Sequence, residues 1–364
     1  MKIDILSMQR VYNYGSFLQA YGLKKLIENK GNHTVFFIDI EQGDHEGVRV
    51  EKGTTLADHK RTFDKYSFRR LIYKLRADKR NQMFEEKRKS ILKLTDEICT
   101  SIPCDMAIIG SDEVFNCNKA NPYGISLQLF GKIDCAKKVA SYAASCGYTD
   151  YGDVPKEYIK PIADSLSGME NISVRDANTA DFVEKLCGIK PVINLDPVLM
   201  YNFSEEVAKA EKKINFPKKY MVVYAYKNRF KDSELIDTVK KYAKKNKMKI
   251  ISLGDSQYWA DDFKVLTPFE LLAYFKNAEC VLTDTFHGTI FSSKFHKRVG
   301  VVVRESNKNK LLDLVNRVGI SDHLIYSNKE IVEKLDFVGD YSSFDSIIKE
   351  NRQKAQEYLD GLGL

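Results

Sequence analysis

The chain has 364 residues, 43% of them hydrophobic and 11% aromatic, which excludes wholesale disorder and leaves room for two cores of ordinary size. A net charge of +7 invites a polyanion partner, but the excess is local. Between Lys60 and Lys93 there are 13 basic and 4 acidic residues, net +9, while elsewhere 44 basic residues face 46 acidic ones, net −2. A polyanion role would therefore rest on one segment.

The chain opens with an apolar strand, Ile3 to Leu6, a polar loop holding Asn13 and Gly15, a helical pattern through Phe17, Leu18, Tyr21 and Leu26, and a strand from Val35 to Ile40. That is a β-α-β unit. Within the basic segment, Phe68, Leu71, Ile72 and Leu75 recur at the spacing of an amphipathic helix, which leaves the lysines and arginines on the outer face. Strands at Met106 to Ile109 and Lys138 to Ala144 end in Gly110-Ser111-Asp112 and Ser145-Cys146-Gly147. Polar strand ends of this kind form the ligand edge of open parallel sheets.

A helix is expected over Tyr158 to Leu166, a strand over Asn171 to Arg175, a helix over Asp176 to Leu186 and a strand over Val192 to Leu195. After a Lys-rich stretch, Glu205 to Lys219, the alternation resumes: strand Tyr220 to Tyr226, helix Ser233 to Asn246, strand Lys249 to Leu253, helix Pro268 to Asn277, strand Cys280 to Thr283, helix Gly288 to Phe295, strand Val299 to Val303. The expected organisation is α/β, with two Rossmann-like doubly wound domains: an N-terminal one over 1–204 carrying a basic helical insertion at about 45–100, a C-terminal one over 205–340, and a terminal helix over 341–364.

Seven scattered cysteines without C-x-x-C or zinc spacing suggest reduced, buried thiols. No apolar run suits a signal peptide or a membrane span, so a cytoplasmic protein is expected. There is no P-loop, no metalloprotease helix, no nucleophile elbow, no Asp-x-Asp metal pair and no three-glycine dinucleotide spacing. Neither a metal nor a cofactor is expected.

The chemistry-bearing letters sit at strand ends. In Thr283-Asp284-Thr285-Phe286-His287-Gly288-Thr289, a buried strand delivers His287 to a helix start, where free N–H groups favour an anion; a capped helix with an interior histidine is the plainer reading. In Gly110 to Asn116, Asp112 could take a proton from a hydroxyl that Ser111 or Asn116 holds, or else Ser111 or Asp112 caps a helix. Asn13, Gly15, Ser16 and Gln19 line a sugar or phosphate site or form an ordinary capped loop. Arg175 could clamp a carboxylate or phosphate, or pair with Asp176 or Asp181. Asp196-Pro197 reads as a turn, and Arg304 is a further anion candidate.

Taken together, Asn13-Tyr14-Gly15-Ser16 with Leu18-Gln19-Ala20, Gly110 to Asn116, Ser141-Tyr142-Ala143-Ala144-Ser145, Ser173-Val174-Arg175-Asp176, Asp196-Pro197-Val198-Leu199 and Thr283 to Thr289 resemble the polysaccharide pyruvyl transferase family in order and spacing. The resemblance implies a GT-B-like fold, with the two domains facing across a cleft, and transfer of pyruvate from phosphoenolpyruvate to a hexose of a cell-surface glycan, as a ketal. It implies His287 as acid/base, Asp112 as an acceptor-side carboxylate, and Arg175, with Gly288, Thr289 and Arg304, as donor-anion groups. Asn13, Gly15, Ser16, Gln19, Ser111, Asn116, Ser145 and Thr285 then line the acceptor side. Some members carry Arg where Thr285 stands, so a second clamp is expected from Lys294, Arg298 or Arg304.

The alternative on the same architecture is a nucleotide-sugar-dependent glycosyltransferase of surface glycan synthesis. The expected partners are a small-molecule donor and a glycan acceptor, free or lipid-linked. For Lys60 to Lys93, a solvated helix face comes first and contact with the inner face of an anionic membrane second; no nucleic acid is expected.

Overall fold

The computed structural model describes residues 1–44, 67–118, 121–227, 229–305 and 307–364. They form two compact units. Unit 1 holds the described residues of Met1–Lys60, Arg88–Tyr201 and Lys349–Leu364, and unit 2 those of Arg61–Lys87 and Asn202–Ile348.

In unit 1, strand β1 (Lys2–Leu6) leads through helix α1 (Tyr14–Glu28) to β2 (Thr34–Phe37). The basic helix α2 (Ser67–Lys87) comes next in sequence and belongs to unit 2. The chain returns to unit 1 as β3 (Met106–Ile109) and β4 (Val139–Ser141), giving a parallel sheet in the order β2-β1-β3-β4. Helix α3 (Lys156–Ser167), strand β5 (Ser173–Val174), helix α4 (Ala177–Cys187), strand β6 (Val192–Ile193) and the short α5 (Pro197–Met200) follow. β5 pairs parallel with β6, and single bridges, Ala140 to Asn171 and Ala144 to Val174, lay it along β4. The central strands are buried on both faces, which is why Met106 to Ile109 reads as an unbroken apolar run. Helix α4 shows both of its boundaries locally: Asp176 accepts the Thr179 N–H at the start, and Gly188, φ +74°, turns the chain left-handed at the end.

After α2, unit 2 resumes with α6 (Ser204–Glu211) and continues through β7 (Tyr220–Ala225), α7 (Ser233–Lys245), β8 (Lys249–Gly254), β9 (Asp262–Phe263), α8 (Pro268–Asn277), β10 (Cys280–Thr283), α9 (Phe286–Lys294), β11 (Arg298–Val302), α10 (Lys308–Arg317), β12 (Leu324–Ile325) and α11 (Ile331–Asp336). Its six strands are all parallel, in the order β12-β11-β10-β7-β8-β9. Because every strand runs the same way, the residues that follow β7, β10 and β11 share one edge. The terminal helix α12 (Ser342–Gly361) begins in unit 2 and continues in unit 1.

Three expectations about organisation change. Residues 45–66 of the insertion lie outside the described residues, and the rest of its helix groups with unit 2, not with the N-terminal domain. The reason is charge pairing: Arg76 donates to Asp262 Oδ1 and to the Phe263 carbonyl, both at 2.6 Å, and Arg80 donates to Asp255 Oδ1 at 2.6 Å and to the Gly254 carbonyl. Burial alone would raise the Asp262 carboxyl, but Lys264 and Arg76 hold it below the ordinary aspartate value. Part of the net +9 is thus spent on docking α2 along β8 and β9.

The Lys-rich stretch Glu205 to Lys219, after which the alternation was expected to resume, already holds α6, and Glu211 accepts from Lys276 and Asn277. The terminal helix does not stand apart either: Arg352 donates to the Met200 carbonyl at 3.1 Å and the Tyr358 hydroxyl to the Ser141 carbonyl at 2.7 Å. Among the described residues, no helix is long and apolar enough to cross a membrane.

Candidate functional site

In unit 1 the sequence motifs meet at the carboxyl ends of the strands. No helix starts at Ser111-Asp112. Instead Asp112 holds φ +112°, a conformation that disfavours side chains other than glycine, and its backbone bridges to Ala144, next to Ala143 at φ +49°. Left-handed conformations at such positions cost on the order of 1–3 kcal/mol each and persist because the surroundings impose them. Two of these positions, Asp112 and Ala143, thus lie just beyond the ends of β3 and β4.

Asp112 Oδ1 accepts the Glu113 N–H at 2.9 Å, while Oδ2 is buried with no hydrogen-bond partner among the described residues. The Ser111 hydroxyl donates to Gln19 Oε1 at 3.0 Å and lies 3.5 Å from Asp196 Oδ2. Asp196, itself 1% exposed, accepts from Arg175 at 3.4 Å and from the Val198 N–H at 2.9 Å. Asp176 lies 4.0 Å from Arg175 Nε and accepts the Ser145 hydroxyl at 2.8 Å. One network thus joins Gln19, Ser111, Ser145, Arg175, Asp176 and Asp196. Burial alone would lower the Arg175 pKa, but Asp196, Asp176, Asp112 and Glu113 outweigh it, so the guanidinium stays charged.

The neighbouring Tyr142 is wholly buried. Burial, and then Asp196 and Tyr358, push its hydroxyl well above the ordinary tyrosine value. The thiols of Cys104, Cys117, Cys146 and Cys280 are likewise pushed up, to about 12, mainly by burial, which leaves them poor nucleophiles.

Two predicted lining residues, Asn13 and Asn116, and the predicted anion clamp Arg175 have partners within unit 1. Asn13 caps α1 by accepting the N–H groups of Gly15, at 2.7 Å, and Ser16, at 3.4 Å, so the capped-loop reading describes this motif. Asn116 is buried, donates to Glu113 Oε2 and accepts from the Asn118 N–H and the Thr149 hydroxyl. It braces the loop. Arg175 pairs with Asp196 and Asp176, whereas Asp181 goes to Lys185.

In unit 2, Thr285 caps α9, accepting the Gly288 N–H at 2.9 Å, and His287 sits in the first turn between the rings of Phe286 and Phe291. A Cβ on Gly288 would lie 2.1 Å from Thr283 Oγ1, so the residue after this histidine has to be glycine. The Thr289 hydroxyl donates back to the Thr285 carbonyl at 3.0 Å. Gly288 and Thr289, expected to hold the donor, thus spend these groups on the helix start.

Arg304 donates through Nε to Asp284 Oδ2 at 2.9 Å and through Nη2 to the Arg229 carbonyl at 2.9 Å. Arg229 itself lies 3.8 Å from the same carboxylate oxygen. The other cations considered for a second clamp go elsewhere. Lys294 stands over the Phe203 ring, and Arg298, at the opposite end of β11, lies near Glu279 and Asp336. Arg229 escaped notice in the sequence because it sits in a loop without periodicity; its only signal is a place shortly after a buried strand.

These two parallel α/β units are of GT-B-like class. A Listeria monocytogenes protein provisionally named a UDP-N-acetylglucosamine 2-epimerase shares the fold at 9% identity, with a TM-score of 0.50 over 99% of this chain and 95% of its own. The UDP-GlcNAc 2-epimerase of Methanocaldococcus jannaschii matches at 12% identity and TM-score 0.47, over 96% and 99%. At such identities the likeness concerns fold alone. No protein of curated function matches the chain. The family model for polysaccharide pyruvyl transferase matches residues 13–306, and the chain belongs to that family. It is accordingly a polysaccharide-modifying transferase.

Proposed function

We propose that the protein transfers pyruvate from phosphoenolpyruvate to two hydroxyls of a glycan hexose, forming a cyclic ketal and inorganic phosphate. The observation that carries this reading is Asp112: a carboxylate in a strained turn, one oxygen tied to the backbone and the other buried without a hydrogen-bond partner among the described residues, is placed to take a proton.

Protonated His287 gives its proton to the methylene carbon of the donor, and the adjacent carbon becomes oxocarbenium-like. A sugar hydroxyl attacks that carbon and its proton passes to Asp112. The bond from carbon to the phosphate oxygen then breaks, its electron pair leaving with phosphate, and the second hydroxyl closes the ring and passes its proton back to His287, while the proton on Asp112 leaves with the phosphate. Arg175, kept charged and oriented by Asp196 and Asp176, holds the donor carboxylate. Such positioning and each proton transfer supply separate parts of the rate, with proton transfer contributing about 10²–10⁴-fold.

A thermal-shift comparison of phosphoenolpyruvate with a panel of nucleotide sugars tests the choice of donor, because a ligand of the folded state raises the melting temperature. The expected result is stabilisation by phosphoenolpyruvate. Stabilisation by nucleotide sugars alone would favour the glycosyltransferase alternative.

A further inference from the structure

We propose that Arg229 and Arg304, held in place by the buried Asp284, form a phosphoryl-anion subsite in unit 2, supplying the positive charge that Thr285 does not. The subsite rests on the proposed reading for its donor, but its chemistry, recognition of a phosphoryl group by two guanidinium ions, does not.

Topology brings the parts together. Asp284 follows β10 directly, Arg304 stands two residues after β11, and Arg229 lies four residues after β7, the strands on either side of β10. All three residues therefore belong to the same edge of the sheet as the first turn of α9, where His287 sits. Two cations stand against the one carboxylate of Asp284, and the Asp232 carboxylate also feels Arg304. The Asp284 side chain is fully buried, whereas each arginine side chain is 32% exposed, so the anion is the interior anchor and the cations are the part that solvent reaches.

Orientation is fixed on several sides. Arg304 stacks over the Phe230 ring at 5.3 Å and Arg229 over Tyr226 at 5.2 Å. Asn307 accepts the Arg304 N–H at 2.8 Å and donates to the Asp284 carbonyl at 2.7 Å, tying the two loops together. Asp284 Oδ1 is buried with no hydrogen-bond partner among the described residues, so this carboxylate keeps acceptor capacity beyond its contact with Arg304. A planar fork anchored at one end suits a phosphoryl oxygen pair better than a mobile lysine does.

Calorimetric titration of full-length wild type, Arg229→Gln and Arg304→Lys with phosphoenolpyruvate, UDP and inorganic phosphate tests the proposal, with melting temperatures as the fold control. Arg229→Gln leaves the Arg304 to Asp284 contact in place, so it is the cleaner variant; Arg304→Lys answers the same question if the first does not fold. Loss of one charge-assisted contact is expected to weaken phosphoenolpyruvate binding about 10–100-fold. Equal affinity in folded variants and wild type overturns the subsite while leaving the pyruvyl reading intact. Wild-type binding of UDP but not phosphoenolpyruvate, weakened in the variants, upholds the subsite and sinks the pyruvyl reading.

Discussion

His287→Ala and Asp112→Asn are each expected to lower acceptor-dependent phosphate release from phosphoenolpyruvate by about 10²–10⁴-fold while leaving the circular dichroism spectrum unchanged. The two substitutions differ in what they remove. His287, in the first turn of α9, is assigned the proton that reaches the methylene carbon, so its loss stops the step that creates the electrophile. Asp112 is assigned the proton of the attacking hydroxyl, and asparagine keeps the size and the Oδ1 contact to the Glu113 N–H while losing basicity. Because both residues serve one reaction coordinate, the double variant should be little worse than the weaker single one. A variant with wild-type turnover removes that residue from the mechanism.

Asp196→Ala is expected to destabilise the protein by about 3–5 kcal/mol, because it removes the nearer of the two carboxylates that pair with a buried guanidinium. Arg175 is 4% exposed and Asp196 1%, so water screens neither. Asp196 also caps α5 through the Val198 N–H, a contact that alanine cannot make. Asp196→Asn keeps the cap acceptor and the packing, so its cost should be distinctly smaller. Urea unfolding followed by circular dichroism measures both. An Asp196→Ala midpoint equal to that of wild type would mean that Arg175 does not depend on this carboxylate.

Where local signals were strong, the elements were legible residue by residue. Pro268 to Asn277 and Cys280 to Thr283 were read to the residue, since Thr267, Pro268 and Glu270 form a capping box and an apolar run is bounded by polar letters. Strands of two residues, β9 and β12, carry no period to detect, and α6 hid in a Lys-rich stretch whose apolar positions are few.

The site was legible as a set of residues but not as a set of roles. Asp112 reads as an ordinary cap because one-dimensional spacing does not encode a positive φ; the bridge to Ala144 imposes it. Asp196 reads as a turn, and only the tertiary fold shows that the same carboxylate both caps a helix and anchors Arg175. The pairing of Asp284 with Arg304, 20 residues on, and with Arg229, 55 residues back, is likewise a property of strand order.

The basic charge of residues 60–93 has a structural use as well. Arg76 and Arg80 of the basic helix are tied to Asp262 and Asp255, so the segment is in part a docking element of unit 2.

The central claim, that this transferase uses phosphoenolpyruvate, is tested most directly by incubating it with phosphoenolpyruvate and a panel of hexose-containing oligosaccharides, then measuring phosphate release and product mass together. The account predicts stoichiometric phosphate and a product heavier by one pyruvyl ketal. Absence of phosphate release across the panel, with glycosyl transfer from a nucleotide sugar in its place, would contradict it.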